Sequence, residues 1–325
     1  MHRAVRCMVP GQPDMAARPI LVVGNANLDV IIGHLDQWPE RGTESFFAHG
    51  DLRVGGSAAN TALVLQRLGA RSGLVSARGD DFAGEAIGRA FDGPLDRVAT
   101  RAGATGFTIG LLHPDSERTF LSSLGHLGDL DADFFCTELD GLPLDGTLVM
   151  LSGGFAMPAL MKGHRALQDW LRARGAEIAI DPGWPDGDWT PDERTLARDW
   201  IAGCDHLLVN DKEAAALAGT DDAESATATL APWLDAEATL VIKRGAKGAT
   251  GHSNGRTLHA SAVPAQPVDT VGAGDSFNAG YLDALARGMP LHERLKHAVA
   301  VAGEVIAEFP RTSSPLGTTP ESVPA

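Results

Sequence analysis

The chain has 325 residues, 44% of them hydrophobic, and a formal net charge of −15. That length can bury one large α/β core, and so acidic a surface repels nucleic acid and anionic membranes, so neither is expected as a partner. Three cysteines, Cys7, Cys136 and Cys204, lie far apart without CxxC spacing, which argues against a disulfide framework or zinc site and for a reducing, cytoplasmic setting.

Residues 1–18 carry Pro10, Gly11 and Pro13 and no continuous apolar stretch, so they read as a disordered N-terminal tail ahead of one domain over 19–310. Ile20–Gly24 (ILVVG) is short, β-branched and apolar throughout, which predicts a buried strand. Asn25-Ala-Asn27-Leu-Asp29 follows it, and an extended backbone puts Asn27 and Asp29 on one face. Ligands of parallel α/β sheets sit beyond the carboxyl ends of the strands, and an amide beside a carboxylate suits a polyol; a polar strand end is the plainer alternative. Residues 30–54 and 103–123 are richer in turns and short alternating strands. Thr105–Leu112 and Arg118–Ser122 flank a hairpin turn at His113-Pro-Asp-Ser116. These segments either build a small second sheet, a lid over the site, or are ordinary surface hairpins.

Gly55-Gly56-Ser-Ala-Ala-Asn60 opens a helix over Ser57–Leu68. Its glycines allow close backbone approach, and the Asn60 amide both donates and accepts, as neighbouring sugar hydroxyls require. Further strands are expected at Leu148–Leu151, Ile178–Ile180, Leu207–Val209 and Leu240–Ile242. Helices are expected at Ala159–Arg174, Pro191–Ala202, Asp211–Gly219 and Ala223–Leu234. Apolar strands alternating with helices imply a mostly parallel sheet covered on both faces. After Leu207–Val209 comes Asn210-Asp-Lys-Glu213, either a capping box or a place where Mg²⁺ is held through waters. After Leu240–Ile242 comes Lys243-Arg-Gly245-Ala-Lys-Gly248, whose glycines could cradle a nucleotide while Lys243 offsets phosphate charge. A glycine turn with solvated cations competes with that reading. Residues 311–325, rich in Thr, Ser and Pro, read as a flexible C-terminal tail.

The strongest signal is Asp269-Thr-Val-Gly-Ala-Gly-Asp-Ser-Phe-Asn-Ala-Gly280. Gly272, Ala273 and Gly274 form a small-residue turn feeding a helix, whose free N–H groups and dipole hold phosphate. Asp275 at its opening is either a carboxylate complementing the dipole, expected to stay ionised, or a general base for a hydroxyl. There is no Rossmann GxGxxG after the first strand and no Walker A loop.

GGSAAN at 55–60, Asn210 to Glu213, and DTVGAGDSFNAG at 269–280, in that order, resemble the signatures of the ribokinase-like (PfkB-type) carbohydrate kinases over about residues 20–308. The resemblance implies a three-layer α/β/α core with a small β-sheet lid. It implies transfer of phosphate from ATP, with Mg²⁺, to a hydroxyl of a small sugar or sugar acid. Asp275 corresponds to the catalytic base, and Gly272, Ala273 and Gly274 to the anion hole. Asn27, Asp29, Gly55, Gly56 and Asn60 correspond to sugar-binding positions, Asn210 and Glu213 to the magnesium and phosphate motif. Lys243, Gly245 and Gly248 fall in the nucleotide loop, and His297 near the adenine. A potassium-binding loop is implied at 308–315, with Asp269 as a candidate ligand, and a homodimer through the lids. Ser57 stands where ribokinase has a lysine, so an unphosphorylated substrate is expected. Ser152-Gly-Gly-Phe155 replaces a segment where ribokinase offers a glutamate, which makes ribose itself a weaker expectation. Asp181-Pro-Gly-Trp184 resembles a segment of sugar kinases but has no assigned ligand. Two alternatives stand: a nucleoside kinase, favoured by Phe46, Phe47 and Phe107 but opposed by 6% aromatic content, and a sugar sensor without catalysis, opposed by the intact motifs.

Overall fold

The computed structural model describes residues 17–114, 117–264 and 266–316, so most of the expected N-terminal tail lies outside the described residues. The strands in chain order are β1 (Ile20–Gly24), β2 (Asn27–Gly33), β3 (His49–Gly55), β4 (Ser72–Arg78), β5 (Arg97–Thr100), β6 (Phe107–Leu112) and β7 (Arg118–Ser123). They continue as β8 (Leu148–Ser152), β9 (Glu177–Asp181), β10 (His206–Asn210), β11 (Thr239–Lys243), β12 (Ala249–Ser253) and β13 (Arg256–Ala260). Nine of them form one sheet in the order β13-β12-β11-β10-β9-β8-β1-β4-β5. From β5 to β11 every pairing is parallel, and β12 turns back antiparallel. The other four make a separate small sheet, β3-β2-β6-β7.

The parallel strands are apolar on both faces because both faces are covered. Residues such as Leu21, Val23, Ile178, Ile180, Leu207 and Val209 pack with helices Ala132–Leu139, His164–Arg172, Pro191–Ile201 and Asp211–Ala218. Ile20, Val22, Met150, Leu208 and Val241 pack on the opposite side with helices Ser57–Arg67, Ala273–Ala286 and Leu291–Ile306. This is the three-layer arrangement expected. The predicted helix over 159–174 is interrupted at Lys162 and Gly163, leaving Pro158–Met161 and His164–Arg172. The β12–β13 hairpin was not among the expected elements, although its turn carries a clear signal. Ser253 pairs with Arg256 across Asn254-Gly255, both at positive φ (50° and 68°), as a two-residue hairpin turn demands.

The small sheet settles the question left open at 30–54 and 103–123: these segments form one sheet, not isolated hairpins. It begins at Asn27, earlier than residue 30, and β6 and β7 pair antiparallel around 113–116, of which 115 and 116 lie outside the described residues. Its inner side touches the main body through Ile31, Leu112 and Val271. His126 ties its base to β4, with Nε2–H donating to the Ala77 carbonyl at 2.9 Å while Nδ1 accepts from the Gly106 amide at 3.1 Å.

Both tail boundaries move outward, toward the chain ends. Arg18 pairs with Glu177 at 2.7 Å. Residues 311–316, expected to be flexible, are anchored: the Leu316 amide donates to the Arg67 carbonyl at 3.1 Å, and Arg67 Nε donates to the Ser314 carbonyl at 2.8 Å. No helix among the described residues is long and apolar enough to cross a membrane.

Candidate active site

β1 lies inside the main sheet between β8 and β4, and the chain then crosses directly into β2, carrying Asn27 and Asp29 over the carboxyl edge. Asn27 Nδ2 donates to Asp29 Oδ1 at 2.7 Å and faces Thr108 of β6 at 3.4 Å. Both side chains are buried. Burial is the largest influence on Asp29 and raises its pKa to about 6, against the lowering effects of Asn27 and Arg53. A side chain at Gly55 would collide with the Asp29 carboxylate, and one at Gly56 (φ 93°) would stand 2.6 Å from Asn27 Oδ1. The two glycines thus make room for Asn27 and Asp29 rather than presenting bare backbone to a ligand. Asn60, one turn into the helix Ser57–Arg67, reaches across 215 positions of sequence to donate from Nδ2 to Asp275 Oδ2 at 3.2 Å.

The helix Ala273–Ala286 starts from Gly272, which adopts φ 72° as its N-cap. The point where a Cβ on Gly272 would stand is ringed by Arg311 Nη1 (3.1 Å), Asn60 Nδ2 (3.3 Å) and Asp275 Oδ2 (3.4 Å). Beneath the same turn lies a buried network. Lys243 Nζ donates to Asp181 Oδ2 at 2.7 Å and to Asn278 Oδ1 at 3.2 Å, and Asn278 Nδ2 donates to Asp181 Oδ2 at 2.7 Å. Lys243 therefore backs the turn from below, with Nζ 3.4 Å from where a Cβ on Gly274 would stand, instead of reaching out from a solvated loop. Asp275 departs from expectation. Burial first, then the charge of Asp181, raises its pKa to about 7 despite Lys243, Asn60 and Arg311.

Asn210 and Glu213 form a complete capping box. Asn210 Oδ1 accepts from the Glu213 amide at 2.8 Å, and Glu213 Oε2 accepts from the Asn210 amide at 2.8 Å. Burial and Asp181 push the Glu213 carboxyl up to about 7. No hydrogen bond among the described residues engages its Oε1 at the carboxyl end of β10, which fits a Mg²⁺ ion held through water rather than directly. In the following loop Gly245 is open above its Cα, whereas a side chain on Gly248 would collide with the Ala260 carbonyl, so packing alone accounts for Gly248. His297 sits on the seam between the last two helices, with Nε2 3.0 Å from Asp283 Oδ2.

Asp269 is fully buried and its carboxylate is already engaged: Oδ1 accepts from the Val271 amide at 2.9 Å and Oδ2 from Arg53 Nη1 at 2.6 Å. Arg311 Nη2 lies 3.5 Å from Oδ2 and donates to the carbonyls of Asp269 and Val271, while Arg118 of the lid donates to the Thr270 carbonyl. Guanidinium groups thus surround the carboxylate that the resemblance offered as a ligand for a monovalent cation.

Residues 18–315 match the pfkB family carbohydrate kinases. The chain belongs to that family. It is 32% identical over 302 residues to an uncharacterized sugar kinase of Escherichia coli strain K12, YegV, covering 90% of each chain. It is 27% identical over 318 residues to a nucleoside kinase of Methanothermobacter thermautotrophicus, covering 94% of each. The fold matches that of Arabidopsis thaliana ribokinase complexed with ribose and ATP, with a TM-score of 0.72 at 22% identity, over 90% of this chain and 94% of that one.

The kinase is accordingly a phosphotransferase with a hydroxyl acceptor. The structure brings Asn60, Gly272 and Asp275 together, and Asn27 and Asp29 together against Gly55 and Gly56. It also adds kinase residues that the pattern missed. Asn278 lay inside the recognised motif, three residues after Asp275, and Asp181 at the carboxyl end of β9; both signals were present. Arg53 could have been found by alternation, since it faces the same way as Gly55 and is the cross-strand partner of Asp29. Arg311 had no local signal at all.

Proposed function

We propose that this kinase transfers the γ-phosphoryl group of ATP to a hydroxyl of a small, unphosphorylated sugar or sugar acid. The observation that carries this reading is the convergence of Asp275, Asn60 and the N-terminus of the helix Ala273–Ala286 around one point, beside the polar pair Asn27 and Asp29. Asn27, Asp29 and Asn60 orient the polyol through its hydroxyls. Asp275 accepts the proton of the attacking hydroxyl, and its raised pKa makes it a better acceptor near neutrality than an ordinary carboxylate. The Gly274 and Asp275 amides, unpartnered by the helix itself, face the charge that builds on the phosphoryl oxygens, while the Ala273 amide donates to the Thr270 carbonyl. Lys243 adds positive charge beneath them. Mg²⁺ held through water at Glu213 would neutralise phosphate charge, with Gly245 beside the nucleotide. The kinase is read as cytoplasmic.

Arg53 Nη1 is held by Asp51 and Asp269 and Arg118 by the Thr270 carbonyl, which supports an unphosphorylated substrate over a phosphorylated one. Phe46 is 89% exposed and Phe107 pairs with Leu28 on the outer face, so neither supports a nucleobase site; Phe120, 49% exposed on the inner face beside Gly110, is the aromatic that keeps the nucleoside reading in the test.

Coupled measurement of ADP formation over a panel of sugars, sugar acids and nucleosides tests the reading. Sugar-dependent ADP release is expected, and Asp275→Asn should lower kcat by roughly 10²–10⁴-fold with nucleotide affinity retained. Near-normal turnover in that variant would remove Asp275 from its role. A response to nucleosides alone would reassign the acceptor.

A further inference from the structure

The segment after the last helix contributes a charged group that neither family signature contains. Arg311 follows the Leu291–Ile306 helix and turns back to the start of the helix Ala273–Ala286. Its Nη2 is fastened to the Asp269 and Val271 carbonyls and lies 3.5 Å from the Asp269 carboxylate. That carboxylate is itself held by Arg53 at 2.6 Å. The guanidinium plane is therefore fixed by one edge. The other edge is left over: no group among the described residues hydrogen-bonds Nη1, and it stands 3.1 Å from the point above Gly272 that Asn60 and Asp275 also face. The side chain is only 13% exposed, so its charge acts with little screening by water.

We propose that Arg311 is a catalytic residue, donating through Nη1 to the phosphoryl group as it passes from ATP to the acceptor. The inference rests on the kinase reading above. In the transfer, the acceptor oxygen forms a bond to the γ-phosphorus and the bond to the β–γ bridging oxygen breaks, its electron pair leaving with ADP. The hydroxyl proton goes to Asp275. Arg311 keeps all its protons and meets the charge that spreads over the equatorial oxygens. The helix amides supply partial charge to that group; Arg311 supplies a full one, already oriented and already desolvated. Arg53 stands behind it, with Nη1 bound to Asp51 and Asp269 and with Nε and Nη2 buried without a hydrogen-bond partner among the described residues. It holds Asp269, which in turn holds Arg311.

Arg311→Gln, Arg311→Lys and Arg311→Ala test this against the wild type, with ADP formation on the acceptor that the panel identifies. Arg311→Gln and Arg311→Lys are expected to lower kcat by about 10³-fold or more, as loss of an arginine does in other phosphoryl transfers. The acceptor KM should stay within about threefold, because the contact is made in the transition state. Added guanidinium ion should restore part of the kcat of Arg311→Ala, which a merely structural arginine would not allow. In a thermal shift experiment, ADP with aluminium fluoride and acceptor should stabilise the wild type more than ADP alone, and Arg311→Gln should lose that increment. Wild-type kcat in Arg311→Lys, or a raised KM with unchanged kcat in Arg311→Gln, would overturn the proposal and leave the kinase reading intact. Loss of kcat in Arg311→Ala without any rescue, alongside an unchanged fluoride increment in Arg311→Gln, would also overturn it. A wild type that releases no ADP with any acceptor would sink the kinase reading itself.

Discussion

At the scale of single residues, the site is governed by burial as much as by charge. Asp275, Glu213 and Asp29 all lie in places where desolvation disfavours the carboxylate, and each has its pKa pushed up, to about 7, 7 and 6. The active form of Asp275 is the carboxylate, so it is depleted below its pKa. The pH profile of kcat/KM should therefore rise about tenfold per unit below pH 7 and level off above it. A limb centred near 4 would mean that the helix N-terminus wins over burial. Asp275 and Glu213 share Asp181 and Lys243 as neighbours, so the limb belongs to the cluster as a whole. A second prediction concerns Asp269. Its carboxylate, its carbonyl and that of Val271 are held by arginines, so replacing potassium by sodium should change the rate by less than about twofold, a guanidinium that never dissociates leaving nothing for the ion to do. A steep potassium dependence would show that the arginines can be displaced.

At the scale of elements, the lid is the piece with two unlike faces. Its inner face carries Asn27, Asp29, Arg53 and Thr108, and its outer face carries a row formed by Leu52, Val30, Ile109 and Leu121 across all four strands. Leu52 and Leu121 are 57% and 49% exposed. A four-stranded sheet with one apolar face open is the kind of surface that a second copy covers, which accords with the expected homodimer. Leu121→Asp should then shift the mass measured by light scattering from dimer to monomer, and an unchanged mass would move any interface elsewhere. The period-2 pattern of these strands was readable, but which of two hairpins would join into one sheet was not. The parallel pairing of β2 with β6 links segments separated by the whole of β3, β4 and β5, and no local signal carries that pairing.

At the scale of the whole molecule, the central sheet divides the kinase into two packed layers. The layer holding the helix Ala273–Ala286 includes the helix of Asn60, and the layer on the other side holds the helix of Glu213 and Trp200, which is fully buried and stacked on His164 at 4.3 Å between ring centroids. Trp200→Ala removes a large side chain from a close-packed interior and should destabilise the fold by about 3–5 kcal/mol. A melting temperature lower by roughly 10 °C is expected, and an unchanged one would show that the neighbouring side chains close over the lost ring. What the sequence determined by itself was whatever short stretches encode locally: apolar runs that must be buried on both faces, a glycine turn that must start a helix, and an aspartate at that start. Tertiary structure alone decided which charges meet. Arg53 and Asp269 are 216 positions apart, and Arg311 lies 40 positions beyond the Val271 carbonyl that it grips. The meaning of a buried charge depends on its partners, and partners are chosen by the folding of distant segments onto one sheet edge, not by anything written next to them in the chain.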